Sequence, residues 1–112
     1  MTIRDKQILF GRLFPLLVIH AQQLGFDVVI GMVWRSHQES ERLRDAGSGI
    51  SPSLHELCLA GHLELFEDDE YVNDTDVHRP LGEWWEKQHE LCRWGGRFGD
   101  GCHYSVAHGG MK

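Results

Sequence analysis

The chain has 112 residues and a formal net charge of −6, from 11 Lys and Arg against 17 Asp and Glu. Hydrophobic residues make 41% and charged residues 25%, a balance that suits one packed domain over residues 1–112 and excludes wholesale disorder. No run approaches the roughly 20 apolar residues of a membrane span, and a net negative field disfavours a nucleic-acid backbone without forbidding a local basic site.

Residues 4–24 read as a helix. Ile8, Leu9, Leu13, Leu16, Leu17 and Leu24 fall near helical spacing, and Gly25 is a stop. Pro15 is expected to kink or break it. Phe26 to Val33 is rich in strand formers. Ser36, with Glu39 three residues on, has the pattern of a capping box opening a second helix that stops near Gly47. Gly47 to Ser53 is the clearest loop. From Leu57 to Phe66 the sequence alternates. Leu57, Leu59, Gly61, Leu63 and Leu65 fall on one side, and Cys58, Ala60, His62, Glu64 and Phe66 on the other, which predicts a strand.

Glu67 to Glu70 reads as a solvated hairpin tip, without the spacing of a calcium loop. Tyr71-Val72 reads as a short returning strand. Residues 78–89 read as a third helix with Pro80 in its first turn. Arg93 to Gly101 is Gly-rich, and His103 to Val106 is a final strand. Helices and strands do not alternate regularly, so the class is α+β, with a small antiparallel sheet and flanking helices.

Three cysteines, Cys58, Cys92 and Cys102, lack CxxC spacing, which argues against a disulfide scaffold and for a reducing compartment. Arg12 and Pro15 interrupt the first apolar run, so it reads as part of the fold and not as a secretion signal. Synthesis in the cytoplasm is the expectation.

Of the eight histidines, three stand out by context. His55 follows the Gly/Ser loop, His62 lies on the polar side of the alternating strand, and His103 opens the last strand after a turn containing Asp100. Neutral imidazoles suit zinc, whose catalytic sites use three protein ligands and a water. A carboxylate beside such a site can move the water's proton, and Asp100 is placed for it. Spacing alone does not separate this reading from histidines scattered over a surface. His20, His37, His78, His89 and His108 read as surface or capping residues.

The segment Ser53-Leu54-His55-Glu56-Leu57-Cys58-Leu59-Ala60-Gly61-His62 resembles the SxHxxxxAxD signature of zinc peptidases with the hedgehog/DD-peptidase fold. That family includes D-alanyl-D-alanine carboxypeptidases and phage L-alanyl-D-glutamate endolysins. Arg79 to Glu86 and Cys92 to Ser105 resemble the small phage-type members, and Trp34-Arg35-Ser36 fits the upstream arginine segment. The resemblance implies a hedgehog/DD-peptidase-like fold and a Zn2+ cofactor held by His55, His103 and the residue at position 62. It implies Asp100 as the general base, Arg35 on a carbonyl or substrate carboxylate, and Ser53 as a substrate-positioning residue. The implied reaction is hydrolysis of a peptide bond in the peptidoglycan stem. The implied source is a phage, with the enzyme reaching the wall after release from the cell.

Three departures lie in or beside the ligand motifs. His62 stands where the family has aspartate, Cys102 where phage-type members often have proline, and Cys58 where glycine is common. A three-histidine set remains acceptable to zinc. Imidazole is longer than a carboxymethyl group, and a displacement on the order of 1 Å can cost about a hundredfold in rate. Two alternatives follow: a metal-binding domain with impaired turnover on the same fold, and a non-catalytic wall-binding or virion module. The thiols admit three readings: inert groups, ligands for a soft metal, or a Cys58–Cys102 disulfide. Strand alternation would point Cys102 away from a metal held by His103. Cys58 would share a face with His62, roughly 13 Å along the strand.

Overall fold

The computed structural model describes residues 1–112. Helix α1 spans Ile3–Gln23. A reciprocal capping box opens it: the Thr2 hydroxyl accepts from the Asp5 amide at 3.1 Å, and the Asp5 carboxylate accepts from the Thr2 amide at 2.9 Å. Pro15 lies inside this helix and does not end it. The carbonyl it leaves unpaired belongs to Gly11, and both residues are exposed, so water can satisfy the group. Gly25, at φ +99°, closes the helix with its amide on the Gln22 carbonyl. Phe10, Phe14, Leu17 and Ala21 recur at helical spacing and are the face α1 buries.

Strand β1, Asp27–Ile30, is followed by α2, His37–Asp45, with Ser36 as its cap. A 3-10 turn, Leu54–Leu57, then leads to β2, Ala60–Glu67. Strand β3 is Glu70–Tyr71, α3 is Thr75–Gln88 and β4 is Cys92–Trp94. A second 3-10 turn, Gly95–Phe98, precedes β5, His103–Val106. All strand pairings are antiparallel. The sheet order is β1-β2-β5-β4, with β3 pairing β2. The class is therefore α+β, a small antiparallel sheet with helices. No helix is long and apolar enough to cross a membrane.

Helices α1 and α3 pack on one face of this sheet, around Leu63, Leu65, Trp85, Trp94 and Tyr104. Gly61 makes the close approach possible, because a methyl group there would come within 2.7 Å of the Phe14 ring. The register pairs Gly61 with Tyr104 and His62 with His103. Since side chains alternate along a strand, Tyr104 faces the helices and both histidines face the other way.

Four local expectations need correction. The alternating run does not start as a strand at Leu57: Ser53–Glu56 is itself a capping box and winds Leu54–Leu57 into a helical turn. Cys58 ends that turn at φ +57°, off any strand. Helix α3 starts at Thr75, so Pro80 lies past its first turn on the exposed side. The stretch read as Gly-rich from Arg93 opens within a strand, β4, that completes the sheet edge. At the hairpin tip, Asp68 and Asp69 both take positive φ, +50° and +66°, as the tight turn between β2 and β3 requires.

Candidate metal centre

Three chain segments deliver three imidazoles to one point. Ser53 anchors the first: its hydroxyl accepts from the His55 amide at 3.2 Å, while the Ser53 amide donates to Glu56 at 2.7 Å. His55 Nδ1 donates to the Val33 carbonyl at 3.0 Å, so the lone pair of the neutral ring sits on Nε2. That atom lies 3.1 Å from His62 Nε2. His62 comes from β2, and its cross-strand partner His103 brings Nδ1 to 3.3 Å from the same His62 nitrogen. The segment before α2 and the His55 turn clasp each other, because the Arg35 amide donates back to the His55 carbonyl.

His55 and His103 are buried and His62 is half-buried. Burial is the main cause of the low basicity of all three. It pushes His55 down to about 4 and His103 down to about 3, with His62 lowered as well. The rings are therefore neutral near pH 7, the state in which imidazole ligates a metal.

The donor set is of the kind that ligates a divalent metal ion. Two nitrogens bound about 2.0–2.1 Å from a tetrahedral ion stand about 3.3–3.4 Å apart. The separations from His62 Nε2 are 3.1 and 3.3 Å, and all three donors lie within 4.8 Å of one another. Hydrogen bonding alone serves this cluster poorly: one proton on His62 Nε2 faces two acceptors, and His103 Nε2 is buried with no partner. The ligand atoms lie close enough to one another to hold a metal ion.

Asp100 stands beside the cluster. The turn that carries it is pinned by its amide on the Gly95 carbonyl at 2.9 Å and by the His103 amide on its own carbonyl at 3.1 Å. Only glycine fits at position 95, since a methyl group would overlap the Asp100 carbonyl. The Asp100 carboxylate is 45% exposed and lies 3.9 Å from His103 Nδ1, open to both solvent and the centre.

The cleft over the histidines is lined also by Arg35, Ser53, Phe98 and Lys112. Arg35 pairs with no carboxylate; its Nη1 touches the Met32 sulfur at 3.6 Å, and its Nε is buried without a partner. Lys112 places its ammonium 4.8 Å from the centre of the Phe98 ring, which in turn lies against His103. All six residues named from the sequence thus border one cleft. The Ser53 oxygen caps the turn that carries His55.

Two features escape sequence reasoning. Cys102 does not point away from the histidines, and all three cysteines are free, as their spacing suggests. Cys102 precedes β5, in a turn where strand alternation does not apply. Its sulfur lies within 4.8 Å of ligand atoms of both His62 and Glu64. His78 is buried, not a surface or capping residue, because α3 begins early enough to carry it under Tyr104. The Gly101-Cys102 pair before the strand is the signal that could have placed the thiol. Compared with known proteins, the chain matches no family model and no curated sequence.

Proposed function

We propose that this centre holds zinc and that the domain hydrolyses a peptide bond of the peptidoglycan stem, at an L-Ala-D-Glu or D-Ala-D-Ala linkage. The observation that carries the reading is the convergence of three neutral imidazole nitrogens beside a half-exposed carboxylate. The substrate class rests on the resemblance of the segments around His55 and His103 to phage-type zinc peptidases. The resemblance extends to origin: a phage enzyme acting on the wall after release.

His55, His62 and His103 would hold the ion. Bound there, zinc supplies a Lewis acid that polarises the scissile carbonyl and makes hydroxide available near neutral pH. Asp100 takes a proton from the attacking water and returns it to the leaving amine. Arg35, free of any internal carboxylate, receives the substrate carboxylate or the polarised carbonyl oxygen. Ser53 holds His55 in place and offers its hydroxyl hydrogen to the substrate backbone.

The test is mass spectrometry of purified peptidoglycan after incubation with zinc-loaded and chelated protein. The expected result is metal-dependent cleavage at one stem-peptide bond. Asp100→Asn should lower that rate by about 100-fold or more while zinc stays bound. Absence of cleavage in wall that an active relative digests overturns the hydrolytic reading. His62, where the resembling family carries aspartate, favours one second reading: a metal-binding domain that has lost turnover. In that case His62→Asp restores cleavage.

A further inference from the structure

A second group of ligand-type side chains adjoins the three histidines. Strand β2 sets His62 and Glu64 two residues apart, on the same face. The turn before β5 swings Cys102 onto that face as well, and the ligand atoms of the three lie within 4.8 Å of one another. All three side chains are half-buried. Glu64 is held in position, because one of its oxygens accepts from Tyr71 and from Asn73, each at 2.6 Å. The Cys102 thiol donates to Asp100 Oδ1 at 3.4 Å, so a second carboxylate borders the group.

We propose that His62, Glu64 and Cys102 form an alternative ligand set, which takes a thiophilic divalent cation such as cadmium in place of the ion held by His55, His62 and His103. The two sets differ in softness. Three imidazoles suit zinc, and a thiolate draws a softer ion. They share His62, and a neutral imidazole has a single lone pair, so the sets are mutually exclusive. Zinc, with bonds of about 2.0–2.3 Å, needs its donors within about 4 Å of one another; the larger cadmium ion accepts a wider set, and small side-chain rotations close the remaining gap. Forming the metal–sulfur bond breaks the Cys102 S–H bond and releases its proton to solvent, with no change of oxidation state. The inference leans on the zinc reading only through His62 and does not depend on hydrolysis.

The test is a cadmium titration of the metal-free full chain in a Cys58→Ser background, followed by the ultraviolet sulfur-to-cadmium charge-transfer band. The band should saturate at one equivalent, disappear in Cys102→Ser and survive in His55→Ala. With one equivalent of zinc already bound, cadmium should release that zinc to a chromophoric indicator as the band grows. A band unchanged by Cys102→Ser overturns the inference. So does a band that grows while zinc stays bound. Either result leaves the zinc centre standing. An intact cadmium band in a chain that binds no zinc supports the inference and overturns the zinc reading instead.

Discussion

The two faces of the sheet treat buried histidine in opposite ways. On the helix side, His78 Nε2 donates to the Asn73 side-chain oxygen, and its Nδ1 accepts from the Tyr104 hydroxyl at 2.7 Å. Asn73 in turn accepts from the Leu65 amide and donates to Glu64. Both nitrogens of the His78 ring and both polar side-chain atoms of Asn73 are thereby used. On the other side, three rings turn their nitrogens toward one another and leave His103 Nε2 with nothing. Burial pushes His78 down to about 4, as it does His55. Low basicity therefore does not distinguish a structural imidazole from a ligand. What distinguishes them is whether the lone pairs are already spent.

This contrast can be broken first at the centre. His55→Ala should weaken zinc binding by about 100-fold or more, since a lost ligand exceeds the loss known for a disturbed outer partner. Calorimetric titration checks it, and His78→Phe in the same assay should bind zinc within a few-fold of the parent chain. The reverse holds for stability. His78→Phe leaves the Tyr104 hydroxyl buried and unpaired and should cost about 2–3 kcal/mol in urea unfolding. His55→Ala should cost the metal-free protein less than that.

The proton linkage sharpens the comparison further. His78 has a folded pKa below its unfolded value of about 6.5, so the unfolded chain binds its proton first. The stabilisation from the neutral ring is complete above about pH 6.5 and is lost as pH falls toward about 4. Across that window His78→Phe should remove up to about 1.4 kcal/mol per pH unit from the slope of unfolding free energy against pH. An unchanged slope would show that the ring is not held neutral. The smallest effect expected is at Ser53. Ser53→Ala removes the cap of the His55 turn and should cost about 1 kcal/mol, with a loss of zinc affinity smaller than that of His55→Ala.

Much of this was legible wherever one local rule decides the outcome. Ser36 and Gly25 mark helix ends, and the last strand runs from His103 to Val106 as its pattern predicts. The α+β class follows from the irregular order of elements. Legibility fell where two local rules compete. The alternating run begins at Leu57, inside a turn that the Ser53–Glu56 capping box also claims, and the box wins because Glu56 closes on the Ser53 amide. It fell again where the outcome depends on register. His62 meets His103 only because β2 and β5 pair in one alignment, which no spacing of histidines in the chain encodes. Cys102 was misplaced for a related reason: whether it lies within β5 or just before it decides which face its sulfur reaches.

The clasp between residues 33–35 and the His55 turn couples two things that chemistry would otherwise treat apart. One strut, from His55 Nδ1 to the Val33 carbonyl, aims a metal ligand; the other, from the Arg35 amide to the His55 carbonyl, tethers the residue that carries the cleft's guanidinium. Peeling this edge away would release both at once. An ion pulling on His55 must therefore hold the Arg35 segment down, and deuterium uptake at the Arg35 amide should slow when zinc binds. In this architecture, occupancy of the centre and order at the cleft's rim are a single equilibrium.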